Sequence, residues 1–128
     1  MDTSKTYIKM CDCPEIQGQW NPKNFTSYHA YHKRLKRVGD FIYGIQWENS
    51  DREELIWLPR QDQIQKEFVN IRGIGSKGYT LVKYFCEWLI SDSTDVMYDL
   101  SSMEQIWLAF YMHEKHKKIW DGTKWKKK

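Results

Sequence analysis

Two histidine pairs are the residues best suited by type to bind a metal or move protons. His113 and His116 stand three apart in a stretch that reads as helix, so both rings can share a face. His29 and His32 have the same spacing in a stretch rich in strand formers, where residues three apart face opposite sides. A structural zinc site takes four ligands. Only Cys11 and Cys13 offer the remainder, at the uncommon Cys-x-Cys spacing. Histidines at the polar end of a helix explain the same letters, and no metal site is expected. Catalytic signatures are equally thin: the chain shows no nucleophile elbow, P-loop or His/carboxylate motif. Glu53 and Glu54 lie in a polar connection and read as solvated. Cys86 falls off the apolar stripe of its helix, with Lys83 as its cationic neighbour, and reads as inert. The inventory favours binding over catalysis and calls for no cofactor.

Three constellations can bind. Lys33, Arg34, Lys36 and Arg37 form a basic run just after Tyr28, Tyr31 and His32. Interleaved cations and rings suit single-stranded nucleic acid, through backbone charge and base stacking; an ordinary solvated loop has the same composition. Arg60, Gln61 and Gln63 follow Pro59, where a strand gives way to a helix, and can converge on an anion. Alternatively, Arg60 only pairs with an acidic neighbour.

The third constellation is Gly73-Ile74-Gly75-Ser76-Lys77-Gly78. Letter for letter it matches the dinucleotide fingerprint, but that motif needs a preceding strand in a βαβ unit, and the segment before it reads as helix. Between two amphipathic helices, Ile71 to Val82 resembles the Gly-Ile-Gly-x-Lys turn of the helix-hairpin-helix family. That resemblance implies a DNA phosphate held at Gly73, Gly75 and Lys77. The plainest reading is a helix-loop-helix junction whose glycines supply positive φ.

These residues depend on elements that the patterning outlines. Pro14 can open a short helix over 14–17. Asn21-Pro22-Lys23-Asn24 signals a turn, and Phe25 to Tyr31 reads as strand. Phe41 to Trp47 and Leu55 to Leu58 read as two strands of an antiparallel hairpin, joined by the polar residues 48–54 and closed by Pro59. A helix near 61–71 places Ile64, Phe68 and Ile71 at i, i+4, i+7. A second, near 77–90, carries Leu81, Val82, Phe85, Trp88 and Leu89 on one stripe. Residues 91–95 read as a loop. A third helix starts at Ser101, with Glu104 at capping-box spacing, and its centre, Ile106 to Met112, is apolar all round and calls for burial. Asp121-Gly122 between aromatics signals a tight hairpin.

The totals set the class. The chain has 128 residues, which suggests one globular domain over 1–125 with a frayed basic tail at 126–128. Aromatics make up 16% of it, too many for a disordered chain. No window is apolar enough to span a membrane. Three cysteines without a leading apolar run fit free thiols in a cytoplasm. Net charge is +3, short of a dedicated nucleic-acid binder. The expected fold is α+β: a small antiparallel sheet, with the 41–58 hairpin and neighbouring strands, and two or three helices packed on one face.

Three phrases carry a wider resemblance: Pro14-Glu15-Ile16-Gln17 leading to Trp20-Asn21-Pro22; Ile56-Trp57-Leu58-Pro59-Arg60-Gln61-Asp62-Gln63-Ile64-Gln65; and Met103 through Lys115 running to Trp120-Asp121-Gly122-Thr123-Lys124-Trp125. Together they resemble small uncharacterised phage and prophage proteins of Gram-positive bacteria. The resemblance implies a protein that acts by binding a host or phage protein or a small ligand. Nucleic acid is the alternative partner.

Overall fold

A computed structural model describes residues 1–19, 27–42, 54–68, 78–91 and 100–128. The expected turn at 21–24, the strand reading for 43–47, most of its polar connection, the glycine turn with Gly73, Gly75 and Lys77, and the loop at 92–95 lie outside the described residues. The architecture is α+β. The chain's contacts divide between two compact units, Met1–Arg60 and Gln61–Lys128.

The first unit holds α1 (Lys5–Cys11), α2 (Pro14–Gln17), β1 (Ser27–His32), β2 (Arg37–Ile42) and β3 (Leu55–Leu58). Its three strands form an antiparallel sheet in the order β2-β1-β3. The hairpin therefore joins β1 to β2, and β3 pairs with the far side of β1. Among the described residues the expected direct pairing with 55–58 is replaced by β1, which lies between β2 and β3, with Tyr31 opposite both Val38 and Ile56. β2 begins earlier than its composition suggests and runs through Gly39. Ala30 sits opposite Gly39 in an unbroken six-residue ladder, and that pairing outweighs glycine's poor strand propensity.

β3 is apolar at every position and buried throughout, because α1 and α2 pack on it. Helix α1 has only seven residues, too few to be stable alone. Ser4 caps it, accepting from the Tyr7 N–H at 3.1 Å. Tyr7, Met10 and Cys11 turn inward at i, i+3, i+4, and the Tyr7 hydroxyl donates to the Pro59 carbonyl at 2.5 Å. The Gln17 amide completes the joint. Its Nε2 donates to the carbonyls of Cys11 (2.8 Å) and Trp57 (3.1 Å), and its Oε1 accepts the Trp57 N–H at 2.9 Å. One side chain thus pairs with Trp57 as a neighbouring strand would.

The second unit holds α3 (Gln61–Glu67), α4 (Gly78–Ser91), α5 (Met103–His116), β4 (Lys118–Trp120) and β5 (Trp125–Lys127). Its core is aromatic. Phe85 stacks on Trp107 with centroids 3.9 Å apart, and Phe68 stacks on Phe110 at 4.9 Å and meets Tyr111 edge-on. As the all-apolar sequence requires, α5 is buried from Trp107 to Met112. Its cap sits one residue later than the Ser101–Glu104 spacing indicates. Ser102 accepts the Gln105 N–H at 3.1 Å, and the Gln105 amide reaches back to the Ser101 N–H. Gln105 is buried, so the helix is phased to put it inside.

The segment expected to fray, 126–128, is ordered into the β4–β5 hairpin: Lys127 pairs with Lys118, and the Lys128 N–H donates to the Lys117 carbonyl. Trp120 and Trp125 meet edge to face across the hairpin, at 5.1 Å. At its tip Gly122 takes φ of +99°. The Asp121 carboxylate accepts from the Thr123 N–H, the Thr123 hydroxyl and the Lys124 N–H.

Two outcomes are expected. Gln17→Leu removes three hydrogen bonds at constant bulk and costs about 2–3 kcal/mol in urea unfolding; a loss below about 0.5 kcal/mol would show that this amide does not hold the edge. At the tip, the Thr123 and Lys124 N–H donors hold the Asp121 carboxyl down, at about 2 against an ordinary 3.8. A depressed carboxylate stabilises the folded turn fully above its ordinary value, and that contribution is lost as pH falls through about 2. The Thr123 and Lys124 amide resonances should therefore titrate near pH 2; a midpoint at the ordinary carboxylate value would refute the turn geometry.

Candidate functional site

One concavity in the described residues lies wholly within the first unit. It is an open groove of about 690 Å³ between α1 and the β1–β2 hairpin. Its base is a cross-strand row. Val38, Tyr31 and Ile56 are register partners, so their side chains share one face of the sheet. Ile8 of α1 adds to this apolar base. Ile56 is buried and the other three are partly exposed, whereas the cations around them are exposed.

One wall is α1. Lys5, Ile8, Lys9 and Asp12 recur at i, i+3, i+4, i+7, which aligns them on the side of the helix flanking its buried stripe. The facing wall is the hairpin turn, which supplies Lys33, Lys36 and Arg37. The lining thus holds five cations and one carboxylate, a formal +4, whereas the whole chain carries +3. All other residues together are one charge negative. Among the described residues, Lys5, Lys9, Lys33 and Lys36 make no ion pair.

The turn is fixed from beneath by His32, which is wholly buried. Its Nδ1 accepts the Leu35 N–H at 3.1 Å, leaving Nε2 to face the Glu54 carboxylate at 3.5 Å. The Lys33 N–H donates to the Glu54 carbonyl, extending the β1–β3 ladder into the turn. Lys36 closes the turn with its N–H on the His32 carbonyl, and it does so in the left-handed region, at φ of +54°. A side chain there costs about 1 kcal/mol relative to glycine.

Of the four residues in the basic run, the structure gathers Lys33, Lys36 and Arg37 at the groove. Arg34 is directed elsewhere, with its Nε 3.9 Å from the Glu54 carboxylate. Lys5, Lys9 and the apolar base do not stand out in the sequence. Their signal is the Lys5/Ile8/Lys9 spacing after Ser4, legible only once that segment is known to be helical. The other candidates fall elsewhere. Arg60 and Gln61 are partly exposed, and Gln63 is buried within α3. Gly73, Gly75 and Lys77 lie outside the described residues, and Gly78 opens α4.

The metal candidates are engaged in the fold. Among the described residues no three or more His, Cys, Asp or Glu side chains come together as a metal site. Burial pushes the Cys11 thiol well above its ordinary value, outweighing a hydrogen bond with Tyr7, so no thiolate forms there at neutral pH. His113 is buried against Glu114 and the Lys128 ammonium, and His116 packs edge-on to Tyr111. Among the described residues no helix is long and apolar enough to cross a membrane. Comparison with protein-family models, curated proteins and solved structures finds no match for this chain.

The left-handed Lys36 separates stability from charge. Lys36→Gly should leave the protein as stable or raise its stability by up to about 1 kcal/mol in urea unfolding. A loss of more than about 1 kcal/mol would mean that the side chain supports the turn.

Proposed function

We propose that the chain acts by binding, and that the groove between α1 and the β1–β2 hairpin is its ligand site. The ligand in this reading carries phosphate-like anionic groups and an apolar body. A single observation supports it: the groove concentrates more positive charge than the whole chain carries, around a base of carbon. Solvated cations spread over a surface lower self-repulsion. Five gathered on facing walls, with Asp12 as the lone lining carboxylate, raise it. A bound anion relieves that repulsion. The apolar base adds desolvated contact that a simple counterion cannot use.

The strained turn points the same way. Lys36 occupies a conformation that glycine adopts without cost, and its side chain lines the groove. Strain at such a position is retained where the side chain has a task. The lining also suits binding better than catalysis, since lysines, one aspartate and a tyrosine hold and orient a ligand without forming a general acid–base pair. A phage-derived protein that engages a ligand or partner, as the sequence resemblance implies, accords with this reading.

Amide NMR with pyrophosphate and then adenosine monophosphate as probes provides the test. Shifts should concentrate in residues 3–12 and 31–38, and the paired charge reversal Lys9→Glu/Lys36→Glu should abolish them. Shifts confined to residues 61–128, or none at millimolar probe, would overturn the assignment.

A further inference from the structure

The geometry points to single-stranded nucleic acid as the occupant of this groove, an inference that rests on the anion-binding reading above. Three features select a strand over other phosphate-bearing ligands. The first is how the cations are distributed. Lys5 and Lys9 stand one helical turn apart, about 6 Å along the axis, and Lys33, Lys36 and Arg37 face them across the groove. A compact phosphate needs a convergent cluster; cations supplied separately by a helix and by a turn match a backbone that carries one charge per residue and passes along the groove.

The second is the base of the groove. Tyr31 stands in the row Val38–Tyr31–Ile56, partly exposed at the bottom of the concavity. A duplex presents its phosphates outward and keeps its bases stacked inside, so it would meet the rim and leave the apolar base unfilled. A single strand can turn a base inward onto the ring while its phosphates stay on the rim. The third is the shape. The groove's cations are all exposed and its volume of about 690 Å³ is open along the walls, which allows a polymer to enter and leave.

The basic run thus gains a defined geometry. Lys33, Lys36 and Arg37 contact phosphates on one side and Lys5 and Lys9 on the other, while Tyr31 receives a base. Asp12, at the end of the α1 wall, limits how far a strand can follow that helix.

Fluorescence anisotropy on the full chain tests the assignment. The probes are labelled oligodeoxyuridylate and oligouridylate of about a dozen residues, a duplex of the same length, and polyphosphate as a competitor without bases. Single strands should bind at least about tenfold tighter than the duplex at equal charge, and the tighter of the two strands identifies the sugar. Between about 50 and 200 mM salt the affinity should fall with a log–log slope of about −2 to −3.5, as expected for three to five phosphate contacts. Tyr31→Leu keeps the base of the groove apolar and should weaken oligonucleotide binding about fivefold or more, with polyphosphate binding unchanged. Tyr31→Phe should restore it. If duplex and polyphosphate bind as tightly as the single strands, and Tyr31→Leu weakens all probes alike or none, the nucleic-acid assignment falls while the anion site stands. If no probe binds even at about 50 mM salt, both fall.

Discussion

The first unit depends on how the outer edge of β3 is closed. A four-residue strand at the side of a three-stranded sheet leaves backbone donors and acceptors facing outward, and such an edge either pairs or stays wet. Here the Gln17 amide takes the place of a fourth strand: a primary amide presents a donor and an acceptor in the same arrangement as a peptide group, and Trp57 offers the complementary pair. The same Nε2 also holds the Cys11 carbonyl, so the end of α1, the end of α2 and the middle of β3 meet at one side chain. Seven-residue and four-residue helices have little stability of their own. They persist because each is tied to a strand that is already paired.

This constraint carries through to the groove. The Gln17 joint and the Tyr7–Pro59 hydrogen bond fix how α1 lies against β3. That fixes which side of α1 faces the sheet and which side flanks it. With Tyr7, Met10 and Cys11 turned inward, helical spacing leaves Lys5, Ile8 and Lys9 along the groove. On the other wall, buried His32 and half-exposed Glu54 set the turn, and the turn sets where Lys33, Lys36 and Arg37 point. Neither wall is placed by its own cations. In each, contacts beneath the groove position its cations, which lets lysines stand near one another despite repulsion.

What the sequence made legible follows from where the information is local. The all-apolar centre of α5 and the Asp121-Gly122 turn each span a few consecutive residues, and each appears where its pattern places it; the stripe expected on α4 is buried at Phe85 and Trp88 but leaves Val82 exposed. The partner of β3 was not legible, because strand pairing is chosen by long-range packing and adjacent segments are only the commonest partners. Helix α1 was missed because seven residues give too short a window for a periodicity, and its stability comes from Pro59 and Trp57, some fifty residues away along the chain. The candidate site divides the same way. Its hairpin wall is a contiguous basic run and could be named in advance; its helical wall exists only after folding.

Net charge illustrates why composition alone understates such a site. A total of +3 on 128 residues argues against a dedicated polyanion binder if charge is taken as evenly spread. Interaction with an anion is governed instead by local potential, which depends on how many cations fall within a screening length of one another, about 8–10 Å in physiological salt. Five cations around one groove with a single carboxylate produce a local field larger than the chain's total of +3 suggests. A mildly basic chain can therefore carry a strongly basic groove.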